Sequence, residues 1–172
     1  MSEIDDDLPQ SISVDFSNGS PLKNEDFLVV HYNINSIRAD DRLDELGNVC
    51  RVMKIDCLIL TETKIDQTIP TNILNIPGFH DPIRHDRNLH GGGTMIYISE
   101  HLTYKHQTTL QHQMFDHLWV DVRVSGQIFA VNALYRPSTQ VSNDEYDSFF
   151  NCISRNSHKT SKSQCSHTCF CI

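Results

Sequence analysis

The sequence lacks several features that would assign it to a specialised class of protein. No apolar run approaches the roughly 20 residues that a helix needs to cross a bilayer, and the opening residues MSEIDDDLPQ lack the basic and apolar stretches of a secretory signal. Basic residues are also few, with 14 Lys and Arg against 22 Asp and Glu and a formal net charge of −8. We therefore expect an intracellular protein with no membrane partner. The charge argues against a generally basic nucleic-acid binder, although an average can hide a local site.

The 172 residues suit one domain, and their charge is distributed in three zones. Residues 1–26 hold seven acids against Lys23, and we interpret them as a disordered acidic leader, with a partner-binding arm as the alternative. Residues 27–150 have the apolar patterning of a globular domain. Residues 151–172 are basic and rich in Ser, hold four of the six cysteines and show no helical or strand period. We therefore expect this last zone to be a tail outside the fold.

The first part of the globular zone has a strand–helix–strand pattern. Residues 27–32 (FLVVHY) and 57–60 (CLIL) are apolar and β-rich, as buried strands are. Between them, apolar residues from Leu43 to Met53 recur at helical spacing. Three such elements within about 35 residues predict a βαβ crossover with two parallel strands. Cys50 and Cys57 would then be reduced residues of the core.

The second part of the globular zone is richer in strands. Residues 94–98 form one candidate strand, and residues 118–124 and 127–134 form two more. The last two are separated only by Ser125-Gly126, which is a hairpin signal. A capping-box spacing then predicts a helix that begins near Asn143.

Polar side chains directly follow the first two predicted strands. Asn33 opens the segment NINSIR, and Glu62 lies in the segment TETK. Because parallel strands end at the same edge of a sheet, these side chains would lie close together there. A carboxylate and a carboxamide are suitable ligands for Mg²⁺. Each residue alone has a simpler explanation, since Asn33 could cap a turn and Glu62 could be a solvated acid beside Lys64.

Two further segments could contact phosphate. Gly91-Gly92-Gly93 leads into the strand at 94–98, but neither a P-loop nor a Rossmann fingerprint is present, and a tight packed turn is the alternative. Tyr135 and Arg136 follow the predicted hairpin, where a phenol and a guanidinium could bind phosphate. The alternative there is a packed Tyr ring and an exposed Arg.

In their order and spacing over about 110 residues, these segments resemble the first part of an endonuclease/exonuclease/phosphatase domain. The resemblance is to the apurinic-endonuclease-like type carried by non-LTR (LINE-type) retrotransposons. The matching segments are NINSIR (33–38), TETK (61–64), PGF (77–79) leading to DR (86–87) and GGG (91–93), LWV (118–120) and YRP (135–137).

The resemblance implies both a fold and an activity. The fold would be α/β, the truncated first part of a four-layer α/β/β/α sandwich like that of DNase I. We expect the first sheet with its helices and little of the second sheet, which would leave an apolar sheet face exposed and the chain poorly soluble. The activity would be hydrolysis of phosphodiester bonds in DNA with Mg²⁺, or alternatively Mn²⁺. A functional enzyme of this kind would work in the nucleus.

The resemblance also implies roles for particular residues. Glu62 matches the metal-binding glutamate, and Asn33 matches the asparagine of the metal and phosphate shell. Tyr135 matches a tyrosine that contacts the phosphate and its leaving side, so Asn33 and Tyr135 would be the catalytic residues, and Arg136 would bind substrate nearby. The family's Gly-Asp-Φ-Asn segment (Φ, an apolar residue) and its late Ser-Asp-His segment are both missing from the sequence. Asp116-His117 imitates the late segment, but it precedes LWV, so we expect a loop before a strand.

Three functional hypotheses follow. The first is a truncated retroelement endonuclease domain with little or no activity, and the second is an active Mg²⁺ phosphodiesterase completed by a partner or by missing sequence. The third is a non-catalytic binding module that uses the acidic leader or the Cys-rich tail. The tail carries CSHTCFC (165–171), whose one-residue separations chelate zinc poorly. A coding sequence that has left the ancestral frame, or that runs into unrelated sequence, explains it better. The spacing of His80, His85 and His90 does not favour a metal site either.

Overall fold

The computed structural model describes residues 27–39, 41–108, 116–135 and 165–171, together with residues 144, 147, 148 and 151; the acidic leader lies outside them. The helices and strands are β1 (Val29–Asn33), α1 (Arg42–Met53), β2 (Cys57–Thr61), a 3-10 turn (Thr71–Leu74), β3 (Ile83–His85), β4 (Thr94–Ile98), β5 (Thr103–His106), β6 (Asp116–Val124), β7 (Gln127–Tyr135) and β8 (Cys165–Cys171). No helix in these ranges is both long enough and apolar enough to cross a membrane.

The first sheet has the strand order β1-β2-β4-β3. Strands β1 and β2 pair in parallel, whereas β4 runs antiparallel to both β2 and β3. The connection from β1 to β2 is α1, so the predicted βαβ crossover is confirmed. All five residues of β2 and all five of β4 are buried, which is why these strands are continuous apolar runs apart from the terminal Thr61 and Thr94.

Helix α1 forms over the residues that carry the apolar 3.6-residue period. Leu46 and Cys50 are its buried residues, and they pack against the sheet. Asp44 and Glu45 lie in the first turn, where a negative charge interacts favourably with the helix dipole. The helix ends at Lys54, which adopts the left-handed conformation and donates its backbone N–H to the carbonyl of Cys50.

The second sheet has the strand order β5-β6-β7-β8. Strands β5, β6 and β7 are antiparallel neighbours, and β8 pairs in parallel with β7. The predicted hairpin is confirmed, with Ser125 and Gly126 at its turn and both at positive φ. Each of its two strands is nine residues long. The helix predicted near Asn143 falls mostly outside the described residues, but residues 144, 147, 148 and 151 are helical.

Two apolar cores lie on the two faces of the first sheet. One core joins the sheet to α1 and includes Val30, Leu58, Leu60 and Tyr97. The other core lies between the sheets, where Cys57, Ile59, Ile83, Ile96 and Ile98 meet Leu118, Val120, Val122, Val131 and Ala133. The expectation of little second sheet and an exposed apolar face is therefore wrong. Strands β6 and β7 cover the inner face of the first sheet.

Two further expectations are corrected by the strands of the second sheet. Asp116 and His117 are the first residues of β6 rather than loop residues, because they pair with Tyr135 and Leu134 of β7. The tail was expected to lie outside the fold, but its residues 165–171 form β8 of the second sheet. Backbone pairing with β7 supplies the hydrogen bonds of β8, and such pairing requires no period in the side chains.

The inter-sheet core provides a test of this packing. Ile59 is fully buried in that core, so Ile59→Ala leaves a cavity between the sheets. We expect it to lower the free energy of unfolding by about 2–5 kcal/mol. Val52→Ala is the control, since Val52 is 77% exposed on α1 and its truncation should change stability by no more than about 0.5 kcal/mol. Urea unfolding followed by Trp119 fluorescence measures both. Equal effects would contradict a closed core between the sheets.

Candidate metal and phosphate site

The candidate site lies at the carboxyl ends of β1 and β2. Asn33 and Thr61, the last residues of these strands, are partners in the parallel register. Hydrogen bonding continues beyond the strand ends, because the N–H of Ser36 donates to the Glu62 carbonyl at 2.8 Å and that of Ile37 donates to the Thr63 carbonyl at 3.0 Å. The two segments that follow the strands are therefore fastened side by side. This pairing brings Asn33 and Glu62 to the same edge of the sheet, as the sequence predicted.

Glu62 lies at a sharp change of backbone direction. Its φ of 59° is in the left-handed region, which residues other than Gly enter at a cost in free energy. The side chain is half-buried, and the backbone N–H of Gly92 donates to its carboxylate at 3.3 Å. Lys64 does not pair with Glu62 in this arrangement, since its ammonium contacts the side-chain oxygen of Asn35. Glu62 is thus held by the glycine turn and is not a freely solvated acid.

The glycine run packs directly against the segment that carries Glu62. The N–H of Lys64 donates to the Gly92 carbonyl at 3.1 Å, and the N–H of Thr63 donates to the Gly93 carbonyl at 3.4 Å. Both glycines have positive φ. A Cβ on Gly93 would lie 2.4 Å from Oγ1 of Thr63, far inside contact distance. The glycine run therefore forms the tight packed turn that was the alternative interpretation of the sequence, and this turn positions Glu62.

Asn33 has an exposed side chain with one local hydrogen bond. Its Oδ1 accepts the backbone N–H of Asn35 at 3.2 Å, which is an Asx turn. The capping role considered for this residue is therefore real. A carboxamide oxygen has two lone pairs, so the turn leaves one of them for a further ligand.

The contact between His31 and Thr61 was not predicted from the sequence. Nε2 of His31 lies 3.1 Å from Oγ1 of Thr61, directly below the strand ends that carry Asn33 and Glu62. Burial lowers the pKa of His31, so its imidazole is neutral at pH 7. A polar residue within an apolar strand, two positions before Asn33, was the available signal in the sequence.

Arg84 braces the chain that continues from the site. Its guanidinium donates to the backbone carbonyls of Asp66 and Ile69, each at 2.8 Å. It also forms a bidentate ion pair with Asp86, with a shortest distance of 2.6 Å. Because Arg84 lies on β3, these bonds fix the segment after Lys64 to the sheet.

Tyr135 and Arg136 are the two residues predicted to contact phosphate beside the candidate metal ligands. Tyr135 is the last residue of β7 in the second sheet, and it is half-buried. It ends a strand, as predicted, but its contact with phosphate stays a prediction. Arg136 lies outside the described residues.

The side chains at the sheet edge have suitable chemistry for a hard cation. Glu62 offers a carboxylate, and Asn33 offers a carboxamide oxygen. In the part of the chain that the structure describes, no group of three or more His, Cys, Asp or Glu side chains could enclose a metal ion. Mg²⁺ often has only one or two protein carboxylates and completes its octahedron with water and substrate phosphate oxygens. The donor types of these two residues suit such a partly hydrated ion, and two donors do not make a closed all-protein cage.

Known proteins share both the sequence pattern and the fold. A family model described as the endonuclease/exonuclease/phosphatase family matches residues 30–164. Among solved structures, the endonuclease domain of TRAS1, a telomere-specific non-LTR retrotransposon, is similar with a TM-score of 0.55 and 13% identity. A truncated Caenorhabditis elegans TDP2 has a TM-score of 0.55 and 14% identity. The 3′ phosphatase NExo from Neisseria, bound to a product DNA hairpin, has a TM-score of 0.52 and 17% identity.

These similarities cover most of this chain but only part of the others. The matches span 81%, 80% and 79% of this chain, and 56%, 59% and 53% of the TRAS1 endonuclease domain, the truncated TDP2 and the NExo chain, respectively. The chain therefore spans little more than half the length of these relatives. None of the curated proteins matches the sequence. At these identities the structural similarity shows the fold, a mixed α/β arrangement with two β-sheets like that of DNase I.

The close packing of Gly93 against Thr63 can be tested by substitution. Gly93→Ala introduces a Cβ both at positive φ and against Thr63, whereas Gly126→Ala introduces one at similar φ with nothing within 4 Å. The control should cost about 1–2 kcal/mol of unfolding free energy from the backbone alone. Gly93→Ala should cost that plus about 1–3 kcal/mol for overpacking. Denaturant unfolding of the two variants measures the difference, and equal losses would show that the turn does not press on Thr63.

Proposed function

Because the chain belongs to the endonuclease/exonuclease/phosphatase family, we propose that it is a metal-dependent phosphodiesterase domain of the DNA-nicking type that non-LTR retrotransposons carry. In this proposal Glu62 and Asn33 bind Mg²⁺, with Mn²⁺ as a substitute, and Tyr135 and Arg136 contact a DNA phosphate. The chain would retain this metal-binding and phosphate-binding part of the site while lacking groups that activate water.

One observation carries the proposal. Glu62 extends from the carboxyl end of β2 with its carboxylate already bonded to the Gly92 N–H, and Asn33 ends the neighbouring parallel strand. A carboxylate held by a hydrogen bond in this way has less side-chain entropy to lose when it binds a cation. The position also suits a substrate, since ligands of open α/β sheets bind beyond the carboxyl ends of the strands.

The proposed roles divide between charge and positioning. Mg²⁺, when bound, would polarise the phosphoryl group and stabilise the leaving oxygen. Glu62 supplies the negative charge that holds the cation, and Asn33 supplies a neutral oxygen beside it. Tyr135 would donate its phenolic hydrogen to a phosphate oxygen and so orient the scissile bond. DNA as substrate is supported by relatives whose structures contain it, namely NExo with a DNA hairpin product and Danio rerio TDP2 with a single-stranded DNA product.

The proposed activity of the chain by itself is low. The sequence has no Gly-Asp-Φ-Asn segment and no late Ser-Asp-His segment, and their Asp, Asn and His orient water and exchange protons in the family. General acid–base groups contribute about 10²–10⁴-fold to a rate. Without these groups, the chain should still bind metal and phosphate, but it should turn over substrate slowly. We propose truncation as the reason for their absence.

Glu62 is the residue on which the proposal is tested. We expect Glu62→Gln to weaken Mg²⁺ or Mn²⁺ binding by at least about tenfold, because even the loss of an outer-shell partner of a metal costs about 10–100-fold. Its carbonyl oxygen can still accept the Gly92 N–H, so the stability of the fold should be retained. Titration calorimetry with Mg²⁺ and electron paramagnetic resonance with Mn²⁺ measure the affinity, and conversion of supercoiled to nicked plasmid measures the cleavage.

The matched control is Glu100→Gln. Glu100 is exposed and follows the far end of β4, because Thr94 is the β4 residue that pairs with Thr61. It should leave metal binding and any nicking unchanged. Metal affinity that Glu62→Gln does not alter, or that both variants alter equally, would contradict the proposal. Rapid Mg²⁺-dependent nicking abolished by Glu62→Gln would instead establish an active enzyme and remove the low-activity part.

Truncation has its own test at the level of the gene. If a frameshift removed the missing segments, translation of the DNA downstream of residue 150 in all three frames should reveal a Gly-Asp-Φ-Asn segment in another frame. Sequencing of the genomic locus and its transcript provides the DNA sequence for this translation. An intact coding sequence with no such segment in any frame would rule out a frameshift.

A further inference from the structure

Three polar side chains lie in the layer between the sheets, immediately below the candidate site. His31 is on the same face of β1 as Val29, which packs in the inter-sheet core. Thr61 shares the face of Cys57 and Ile59 on β2, and Thr94 shares the face of Ile96 and Ile98 on β4. Thr61 and Thr94 are partners in the antiparallel register, so their side chains lie on the same side of the sheet.

The two threonines have the same burial but different bonding. Thr61 is 4% exposed and Thr94 is 0% exposed. Oγ1 of Thr61 lies 3.1 Å from Nε2 of His31, whereas Oγ1 of Thr94 has no hydrogen-bond partner in the part of the chain that the structure describes. A buried hydroxyl without a partner is unfavourable, and Thr94 shows that a hydroxyl in this layer can nevertheless lack one among the described residues. The bond between His31 and Thr61 is therefore a specific link between β1 and β2.

This link acts on the two residues proposed to hold the metal. His31 lies two residues before Asn33 on the same strand face, and Thr61 directly precedes Glu62. The carbonyl of Thr61 also accepts the N–H of Ile34 at 3.0 Å, so both its backbone and its side chain are tied to β1. Glu62 then turns away at positive φ. The direction of its carboxylate therefore depends on how firmly Thr61 is held.

We propose that His31 is a positioning residue, which through its hydrogen bond to Thr61 fixes the spacing of Asn33 and Glu62 for a divalent cation. The proposal rests on the function proposed above and deepens it, because it assigns a role to a residue outside the metal and phosphate contacts. His31 would not touch the metal or the substrate. Its imidazole would hold the ends of β1 and β2 in the register that metal binding requires.

The test compares three substitutions in the polar layer between the sheets. Thr61→Val removes the hydroxyl that bonds to His31, His31→Leu removes the imidazole, and Thr94→Val removes a hydroxyl that has no partner among the described residues. We expect the first two each to weaken Mn²⁺ binding about tenfold, the lower end for outer-shell partners of a metal. Thr94→Val should leave the affinity unchanged, and the double variant Thr61→Val/His31→Leu should be no weaker than either single variant.

Conservative variants separate positioning from a general loss of structure. Thr61→Ser keeps the hydroxyl and His31→Gln keeps a polar nitrogen at the end of the side chain, so both should bind Mn²⁺ as the wild type does. A residue that acts only on stability would shift the urea midpoint of unfolding without changing the Mn²⁺ affinity of the folded protein. If Thr61→Val does not fold, the half-buried His31 provides the same comparison through His31→Leu and His31→Gln.

The outcomes distinguish this inference from the proposed function. Wild-type protein that binds Mn²⁺, loses it in Glu62→Gln and keeps it in both Thr61→Val and His31→Leu would overturn the positioning role and leave the metal site standing. Wild-type protein that binds no Mn²⁺ would overturn both. Equal weakening by Thr94→Val and Thr61→Val would also overturn the positioning role, because the effect would then follow from any lost hydroxyl in this layer.

Discussion

The parallel pairing of β1 and β2 is the constraint on which the candidate site depends. Parallel strands end at one edge of a sheet, so residues 29 apart in the sequence, Asn33 and Glu62, reach the same place. The pairing does not stop with the strands, because Ser36 and Ile37 continue to bond to the segment after β2. An antiparallel arrangement would separate the two side chains by the length of a strand. The crossover through α1 thus determines the chemistry as well as the topology.

The glycine turn that precedes β4 also constrains the candidate site. Gly92 contributes its amide to the carboxylate of Glu62, and Gly93 allows the turn to approach Thr63 without a Cβ. Because β4 is antiparallel to β2, the start of β4 lies beside the end of β2. Three segments that are distant in sequence therefore meet at one edge of the sheet. Each is held mainly by backbone hydrogen bonds, so the arrangement tolerates many side chains but few changes in backbone direction.

Much of the first sheet could be predicted from the sequence, and the reason is physical. Strands β2 and β4 are fully buried and largely apolar, β1 lies in the β-rich run FLVVHY, and α1 has a clear helical period, so local patterns were sufficient. Strands β3 and β5 are three and four residues long, too short to show a period. Strand β8 gains its backbone bonds from β7 across a long sequence separation, which no local pattern reports.

For the site, the residue types and the strand ends were predictable, whereas the fine contacts were not. The sequence indicated Asn33 and Glu62 because polar residues follow apolar strands. It did not indicate that Gly92 donates to Glu62 or that His31 bonds to Thr61, since both depend on the register between strands. The extent of the second sheet was predicted to be too small for a related reason. Motif spacing predicted a family, but the inter-sheet core formed by β6 and β7 depends on packing between residues about 60 positions apart, such as Ile59 and Val120.

Glu62 has a consequence for how this edge of the sheet can evolve. Its left-handed backbone would be adopted by glycine at lower free energy, by about 1–2 kcal/mol. A chain selected for stability alone would therefore favour glycine at this position, while a chain selected for cation binding must keep the carboxylate. Stability and chemistry are opposed at this one residue, so relaxed selection for function would be expected to erode Glu62 before it erodes the apolar strands on either side.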